Sequence, residues 1–243
     1  MKLIQRHGYI EFLRRNRERS IIKVVSGIRR CGKSTLFRLF KDELLAEGVK
    51  PEQIISINFE ELEYESLRDY HRLYQYILNQ MQPNQMNYIF LDEIQHVDQF
   101  HRVVDSLFVK ENTDIYITGS NAYFMSSDIA TLLTGRYVEI QMLPLSFAEF
   151  YYSKYEEQQY SLIPAYEEYL RESSFPYTQQ LGGEDFDIQE YLRGLYNTLL
   201  LHDVVARLKI NDVTMLQDIV RYIMANVGSL LSPNKIAKSL VSA

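Results

Sequence analysis

Apolar runs and amphipathic stretches alternate along the first 145 residues of the chain. Runs rich in β-branched and aromatic residues predict strands over 21–25, 54–59, 88–91, 115–118 and 137–140. Between the strands, apolar residues recur at helical spacing over 33–46, 70–81, 100–108 and 127–133. Strands that alternate with helices favour right-handed crossovers and a parallel sheet covered on both faces. The pattern therefore predicts an α/β fold with active residues at the carboxyl ends of the strands.

The alternation stops at Pro144, and most of the remaining chain has helical spacing. Helices are expected over 188–210, 213–227 and 236–241, and a loop is expected over 173–183. We therefore divide the chain into three parts: a core over 1–145, a helical domain over 146–212 and a final domain over 213–243.

A glycine-rich loop joins the first predicted strand to the first helix. It fits the pattern G-x-x-x-x-G-K-[ST] and consists of Gly27, Ile28, Arg29, Arg30, Cys31, Gly32, Lys33, Ser34 and Thr35. Glycines let backbone N–H groups converge on a phosphate, and the helix that begins here adds its positive end. We expect Lys33 to contact the β- and γ-phosphates of a nucleotide, and Ser34 Oγ to bind Mg²⁺.

Two acidic residues follow the third predicted strand, which is apolar over 88–91. Asp92 would hold Mg²⁺ through a water molecule, and Glu93 would orient and polarise the attacking water. A second acid beside the magnesium acid favours a hydrolase. A small-molecule phosphotransferase would more often take its base from an acceptor site, and no signature of such a site is visible.

Polar residues near the other strands are candidates for assisting the reaction. Ser120, with Asn121 beside it, would hydrogen-bond the γ-phosphate or the attacking water, or it would only cap a turn. Arg136 precedes the fifth strand and would act on the nucleotide of a neighbouring subunit, or form a surface ion pair. Asn58 ends the second strand and would either contact Glu93 or simply terminate the strand.

Composition narrows the class of protein. The single cysteine, Cys31, allows no internal disulfide, and its alkylation is expected to block nucleotide binding. The five histidines show no zinc-ligand spacing, so Mg²⁺ is the one metal expected. The chain has no apolar run long enough for a transmembrane helix and no signal-peptide core. We expect a cytoplasmic protein without a membrane partner.

Charge is distributed unevenly along the chain. The net charge of −6 argues against general nucleic-acid binding, yet residues 1–50 hold 13 basic and 5 acidic residues. A polyanion would therefore be met by the N-terminal part. The arginine run, Arg14, Arg15, Arg17 and Arg19, is either such a contact or the solvated face of a short helix.

Together these segments resemble the AAA+-type ATPases of bacteria and archaea that carry a C-terminal domain of unknown function. The resemblance covers residues 1–150 well and the remainder loosely. It rests on 27–34, Leu91-Asp92-Glu93-Ile94-Gln95, Thr118-Gly119-Ser120, Leu133-Thr134-Gly135-Arg136 and, most specifically, Leu143-Pro144-Leu145-Ser146-Phe147-Ala148-Glu149-Phe150.

The resemblance implies ATP rather than GTP, a five-stranded P-loop sheet of the additional-strand catalytic-glutamate type, and a helical lid after Pro144. It makes Ser120 a γ-phosphate sensor, Arg136 an arginine finger and Asn58 a switch on Glu93. Arg207 is the lid arginine best placed to reach the nucleotide. The final domain is expected to hold the opening helices of a winged helix that ends before its wing. The family's Gly-Gly-Phe-Pro-like stretch is Ser173-Ser174-Phe175-Pro176 here.

The expected function is ATP binding and Mg²⁺-dependent ATP hydrolysis coupled to conformational change, with assembly into a homo-oligomer if Arg136 acts in trans. Two alternatives stay open. One is a slow nucleotide-dependent switch. The other is a DNA-binding regulatory module that uses ATP as an allosteric ligand and contacts DNA through the partial winged helix or the arginine run.

Overall fold

A computed structural model describes residues 4–120, 133, 135–155, 159–181, 185–199, 204–205 and 212–241. The chain divides into two compact units, Met1–Asp185 and Phe186–Ala243. Several sequence predictions lie outside the described residues: Asn121, Arg207 and, apart from Leu133, the helix expected over 127–133.

The first unit is built on a five-stranded parallel sheet. Its strands are β1 (Ile22–Gly27), β2 (Ile54–Asn58), β3 (Asn87–Asp92), β4 (Thr113–Ser120) and β5 (Tyr137–Met142). The strand order is β2-β3-β4-β1-β5, and every neighbouring pair is parallel. Strand β4 therefore lies between the strand that leads into the glycine-rich loop and the strand that ends in two acids. The predicted α/β fold is confirmed.

Among the described residues of the first unit, one helix precedes the sheet in sequence, three connect its strands, and two follow its last strand. They are α1 (His7–Arg15), α2 (Lys33–Ala46), α3 (Tyr70–Gln80), α4 (Phe100–Phe108), α5 (Phe147–Tyr155) and α6 (Leu162–Glu172). The helices predicted over 33–46, 70–81 and 100–108 are confirmed to within one residue. The loop expected over 173–183 contains one short 3-10 turn, Pro176–Gln180.

Helices cover both faces of the sheet. Because successive side chains of a strand point to opposite faces, the strands contribute to two separate core layers. One core layer packs α3 and α4 against the sheet, and its buried members include Ile57, Leu73, Ile89, Leu91, Val104 and Ile117. The other layer packs α1 and α2 against the opposite face, with Leu13, Val25, Phe37, Phe40, Phe90 and Tyr116. Strand β3 is buried along its whole length, as its continuous apolar run predicts.

The second unit contains α7, which starts at the unit boundary (Asp185–Thr198), α8 (Val213–Ala225) and α9 (Pro233–Val241). Asp212 caps α8 by accepting a hydrogen bond of 2.8 Å from Met215 N. The helices expected over 213–227 and 236–241 are confirmed. The winged-helix assignment and the division into three domains stay predictions. Within the described ranges, no helix combines the length and apolar character needed to cross a bilayer.

An ion pair between β1 and β4 is fully buried. Lys23 Nζ donates to Asp114 Oδ1, and neither side chain is exposed to solvent. Asp114 also accepts hydrogen bonds from the hydroxyl of Tyr116 at 2.7 Å and from the backbone N–H of Glu18 at 2.9 Å. Burial lowers the pKa of Lys23, and the Asp114 carboxylate counteracts that effect. The pair is tolerated because its remaining polar atoms are hydrogen-bonded.

Replacing Asp114 by Ala leaves the Lys23 ammonium buried without its counter-ion. We expect a loss of about 3–5 kcal/mol in the free energy of unfolding, measured by urea denaturation. The matched control is Asp98→Ala, which removes an exposed aspartate and should change stability by less than about 0.5 kcal/mol. Equal losses for the two variants would contradict the burial of the pair.

The side chain of Cys31 lies in the core layer beneath α2 and has no solvent exposure. Burial raises the pKa of its thiol, and the thiolate is the reactive form. The sequence singles out this cysteine as a point where alkylation would block nucleotide binding. The folded protein, however, keeps the thiol out of reach of a reagent.

We expect a disulfide reagent such as DTNB to modify the folded protein far more slowly than the urea-unfolded chain. Because Cys31 is the only cysteine, the absorbance signal reports one site. Rapid, stoichiometric modification of the folded protein would show that the thiol is accessible after all.

Candidate active site

The glycine-rich loop turns tightly between β1 and α2. Arg30 and Gly32 have φ angles of 64° and 105°, in the left-handed region that glycine adopts most readily. At Gly27 the constraint is space: a Cβ there would lie 2.4 Å from the carbonyl oxygen of Met142 on β5. The two glycines of the motif thus serve different needs, and the first N–H groups of α2 lie beside the loop.

Lys33, the first residue of α2, folds back over the loop. Its Nζ donates to the carbonyl oxygens of Gly27 at 3.2 Å and Ile28 at 3.3 Å. The same atom lies 3.1 Å from Glu93 Oε1, and the two side chains are only 3% and 8% exposed. A largely buried cation is therefore held between the loop and the acid that follows β3.

Asp92 ends β3 among hydroxyl groups. Thr118 on β4 donates its hydroxyl hydrogen to Asp92 Oδ1 and accepts a 2.9 Å hydrogen bond from Glu93 N. Burial raises the pKa of Asp92, whereas hydrogen bonds with Ser34 and Thr118 oppose that shift. Ser34 and Asp92, the two predicted magnesium ligands, are thus in contact. A hydroxyl and a carboxylate are oxygen ligands of the kind that Mg²⁺ prefers.

Glu93 adopts a left-handed backbone conformation, with φ of 53°, which is uncommon for a residue other than glycine. Its Oε2 accepts a hydrogen bond of 2.5 Å from Gln95 Nε2. Burial pushes the pKa of Glu93 upward, but the charge of Lys33 and the Gln95 hydrogen bond outweigh it and leave the pKa below its ordinary value. Glu93 is therefore ionised near neutral pH, as a general base must be.

Asn58 lies at the same edge of the sheet but makes different contacts from those expected. It is in register with Asp92 on the adjacent strand. Its Nδ2 donates to Glu61 Oε1 at 3.3 Å, and its Oδ1 accepts from Glu60 N at 3.1 Å. The hydrogen bonds described for Asn58 thus stay within its own loop and do not reach Glu93.

Arg136 lies at the amino ends of the strands, whereas the glycine-rich loop and the acids lie at their carboxyl ends. Its carbonyl oxygen accepts a 2.8 Å hydrogen bond from Ile22 N, at the start of β1, whereas the glycine-rich loop follows the end of that strand. About five residues of strand, or roughly 17 Å, separate the two ends. The guanidinium forms an ion pair of 2.7 Å with Asp105 on α4. Within one chain, Arg136 therefore does not join Lys33 and Glu93.

Ser120 ends β4 and is in register with Gly27, so its backbone lies beside the start of the glycine-rich loop. Its side chain, like the whole of Asn121 and Arg207, falls outside the described part of the chain. The neighbouring Thr118 is the residue of β4 that contacts the acids, and sequence reasoning passed over it in favour of Ser120. The sequence contained a signal for this role, because Thr118 comes directly after the apolar residues 115–117, as Asp92 comes after 88–91.

Arg6 is a further residue that sequence reasoning missed. It is 4% exposed and donates to the carbonyl oxygens of Cys31 at 3.4 Å and Leu143 at 2.9 Å. Its Nε also pairs with Glu149 Oε1 at 2.6 Å. Glu149 in turn accepts from Ser146 N at 2.8 Å, in a capping box at the start of α5. Segment 143–150, which carries the most family-specific part of the resemblance, thus binds the buried side chain of Arg6. The same side chain also contacts the glycine-rich loop.

A small cleft opens beside the glycine-rich loop. It is lined mainly by apolar atoms, from residues that include Ile4, Gly32, Leu36, Met142, Leu145 and Pro176. The cleft therefore joins the segment before β1, the loop, the end of β5 and the 3-10 turn after α6.

Two of the four arginines of the arginine run, Arg14 and Arg17, are paired with neighbouring acids. Arg14 pairs with Glu11 at 2.7 Å and with Glu43 at 2.9 Å. Arg17 pairs with Glu18 at 3.0 Å and donates to the hydroxyl of Tyr88. The charge available to a polyanion is therefore smaller than the sequence count indicates.

Comparison with known proteins gives independent information on the class of this protein. A family model of the AAA domain matches residues 19–151. An uncharacterised protein of Haemophilus influenzae is 38% identical over 243 residues, covering 99% of this chain and 60% of the relative. Another, from Methanocaldococcus jannaschii, is 32% identical over 236 residues and covers 90% of this chain and 50% of the relative. The chain thus spans 50–60% of the length of these two relatives.

The solved structure of a Walker-type ATPase of Pyrococcus abyssi is similar in fold. It is 16% identical in sequence with a TM-score of 0.59, and the match covers 98% of this chain and 89% of that one. This likeness concerns the fold alone. The family match covers more than half of the chain and includes the glycine-rich loop, both acids and Arg136. The chain therefore belongs to the AAA domain family of P-loop ATPases.

Proposed function

We propose that this protein binds ATP with Mg²⁺ and hydrolyses it to ADP and phosphate. One observation carries the proposal: a lysine, two magnesium-type ligands and an ionised glutamate form one contiguous cluster at the carboxyl edge of the sheet. Membership of the AAA domain family supports the same conclusion.

Binding would use the backbone as much as the side chains. The N–H groups of the glycine-rich loop and of the first turn of α2 would hold the phosphates, and the apolar cleft beside Met142 would hold the base. Lys33 would leave Glu93 for the β- and γ-phosphates, which carry more negative charge. Ser34 and Asp92 would hold Mg²⁺, which neutralises charge on the phosphate oxygens when it is bound.

Hydrolysis would rely on Glu93. Once Lys33 turns to the phosphates, Oε1 of Glu93 is free to accept a proton from a water molecule. The oxygen of that water bonds to the γ-phosphorus, and the bond from the γ-phosphorus to the bridging oxygen breaks, which releases ADP. Thr118, through its contacts with Asp92 and Glu93 N, would keep the two acids in fixed relation during this step.

Conformational coupling has a physical route in this proposal. Arg6 connects the carbonyl of Cys31 in the glycine-rich loop with Glu149 in the first turn of α5. A change in the loop on nucleotide binding or product release would therefore act on the helices that follow β5. This contact is the basis for retaining a lid role for the helical region after Pro144.

Glu93→Gln should keep ATP binding and slow phosphate release by about 10²-fold or more, because the amide cannot accept the proton. The measurement is phosphate release with Mg·ATP across a series of protein concentrations, beside nucleotide titrations. Lys33→Ala is the companion variant and should lose ATP binding. Unchanged ATP affinity in that variant would argue against the loop assignment. A wild type no faster than Glu93→Gln, with ADP retained, would instead favour the slow switch.

Arg136 would act in trans within a homo-oligomer. It lies at the sheet edge opposite the glycine-rich loop of its own chain, so a γ-phosphate within its reach would belong to a neighbouring copy. Its ion pair with Asp105 would be exchanged for the phosphate when two copies meet. Activity would then rise more than linearly with protein concentration.

Arg136→Ala should slow turnover by on the order of 10³-fold with little change in ATP affinity. Mixing Arg136→Ala with Glu93→Gln should restore part of the activity, because some mixed sites would contain both wild-type residues. Asp105→Asn is the control, since it releases Arg136 without removing it. Lost ATP affinity in Arg136→Ala, or mixtures as inactive as their components, would exclude a trans role.

A further inference from the structure

The two oxygens of the Glu93 carboxylate have different partners. Lys33 Nζ lies 3.1 Å from Oε1, and Gln95 Nε2 lies 2.5 Å from Oε2. The lysine contact is one that phosphates would compete for, because phosphate oxygens attract the same ammonium group. The glutamine contact is not, because a neutral amide has no comparable attraction to a triphosphate.

The turn after β3 accounts for this second contact. The left-handed conformation of Glu93 begins a single 3-10 turn, Ile94–His96, in which His96 N donates to the carbonyl oxygen of Glu93 at 3.2 Å. The reversal returns the side chain of Gln95 to the carboxylate two residues before it. A strand that continued straight would send these two side chains in the same direction without bringing their ends together in this way.

The amide nitrogen of Gln95 donates its hydrogen bond to Glu93. The carbonyl oxygen of the same amide, Oε1, is buried, and no donor to it is found among the described residues. Leaving a buried acceptor unpaired is costly. The side chain as a whole is only half-buried, so a glutamine with a packing role alone would be free to turn its amide to bulk water. The amide instead faces the carboxylate with its donor.

We propose that Gln95 is the positioning residue of Glu93, whereas the family resemblance implies that Asn58 acts on Glu93 as a switch. The proposal rests on the proposed hydrolysis. When Lys33 turns to the phosphates, Gln95 keeps Oε2 in place and leaves Oε1 as the oxygen that accepts the proton. Gln95 acts through Glu93, and Asn58 is occupied by Glu60 and Glu61.

Three substitutions at one position separate the donor from the volume of the side chain. Gln95→Met keeps the volume and removes the donor, and Gln95→Ala removes both. We expect kcat to fall by about 10- to 100-fold in each, with unchanged ATP affinity, as for loss of a hydrogen bond to a charged group. Gln95→His retains an N–H of similar reach and should keep more activity than Gln95→Met. Asn58→Ala, the control, should leave kcat near the wild-type value.

A double-mutant cycle supplies the readout that a general packing defect would not produce. In a Glu93→Gln background, Gln95→Met should cause no further loss of single-turnover phosphate release, because the carboxylate on which Gln95 acts is already gone. Equal losses in the two backgrounds would overturn the proposal. A wild-type kcat for Gln95→Met, or a loss in Asn58→Ala that depends on Glu93, would also overturn it.

The same measurements keep this proposal distinct from the proposed function. A wild type that shows no Glu93-dependent phosphate release overturns the hydrolysis itself. A wild type that hydrolyses ATP through Glu93, beside Gln95 variants of equal rate, overturns only the role of Gln95.

Discussion

The hydroxyl of Thr118 is the contact on which the arrangement of the acids depends. It lies on β4 without solvent exposure, donates to the carboxylate of Asp92 and accepts from the backbone of Glu93. Because β4 lies between β1 and β3, this hydroxyl reaches the acids from the strand that also neighbours β1. The strand order therefore has a chemical consequence: the inserted strand β4 supplies the hydroxyl that fixes Asp92 and the backbone of Glu93 relative to each other.

Ion pairs in this chain differ in what competes for them. Lys23 and Asp114 lie where no ligand can reach, with the carboxylate also hydrogen-bonded to neighbouring groups, so that pair contributes to the fold alone. The pair of Lys33 and Glu93 lies at the carboxyl edge of the sheet, where active groups of parallel sheets gather. A lysine held by one carboxylate and two carbonyl oxygens is stable in place, yet a triphosphate offers it more negative charge.

Much of the fold was predictable because strand and helix periods are local signals. The five strands, the helix 33–46, the glycine-rich loop and the two acids all follow from short stretches of sequence. The contacts of Asn58 were not predictable, because register brings it beside Asp92 whereas loop geometry turns its amide to Glu60 and Glu61. The role of Arg6 was not predictable for another reason. Its partner Glu149 is 143 positions away in the chain, so no local pattern links the two residues.

The opposite placement of Arg136 and the glycine-rich loop limits the symmetry of any assembly that combines them in one site. A twofold axis pairs each surface with the same surface of the other copy. It would therefore bring the amino ends of the strands, which carry Arg136, against the amino ends of the strands in the partner. Only a heterologous contact, with the amino edge of one sheet against the carboxyl edge of the next, can combine the two. Repetition of that contact closes into a ring or continues as a helical filament, and the rotation between successive copies decides which of them forms.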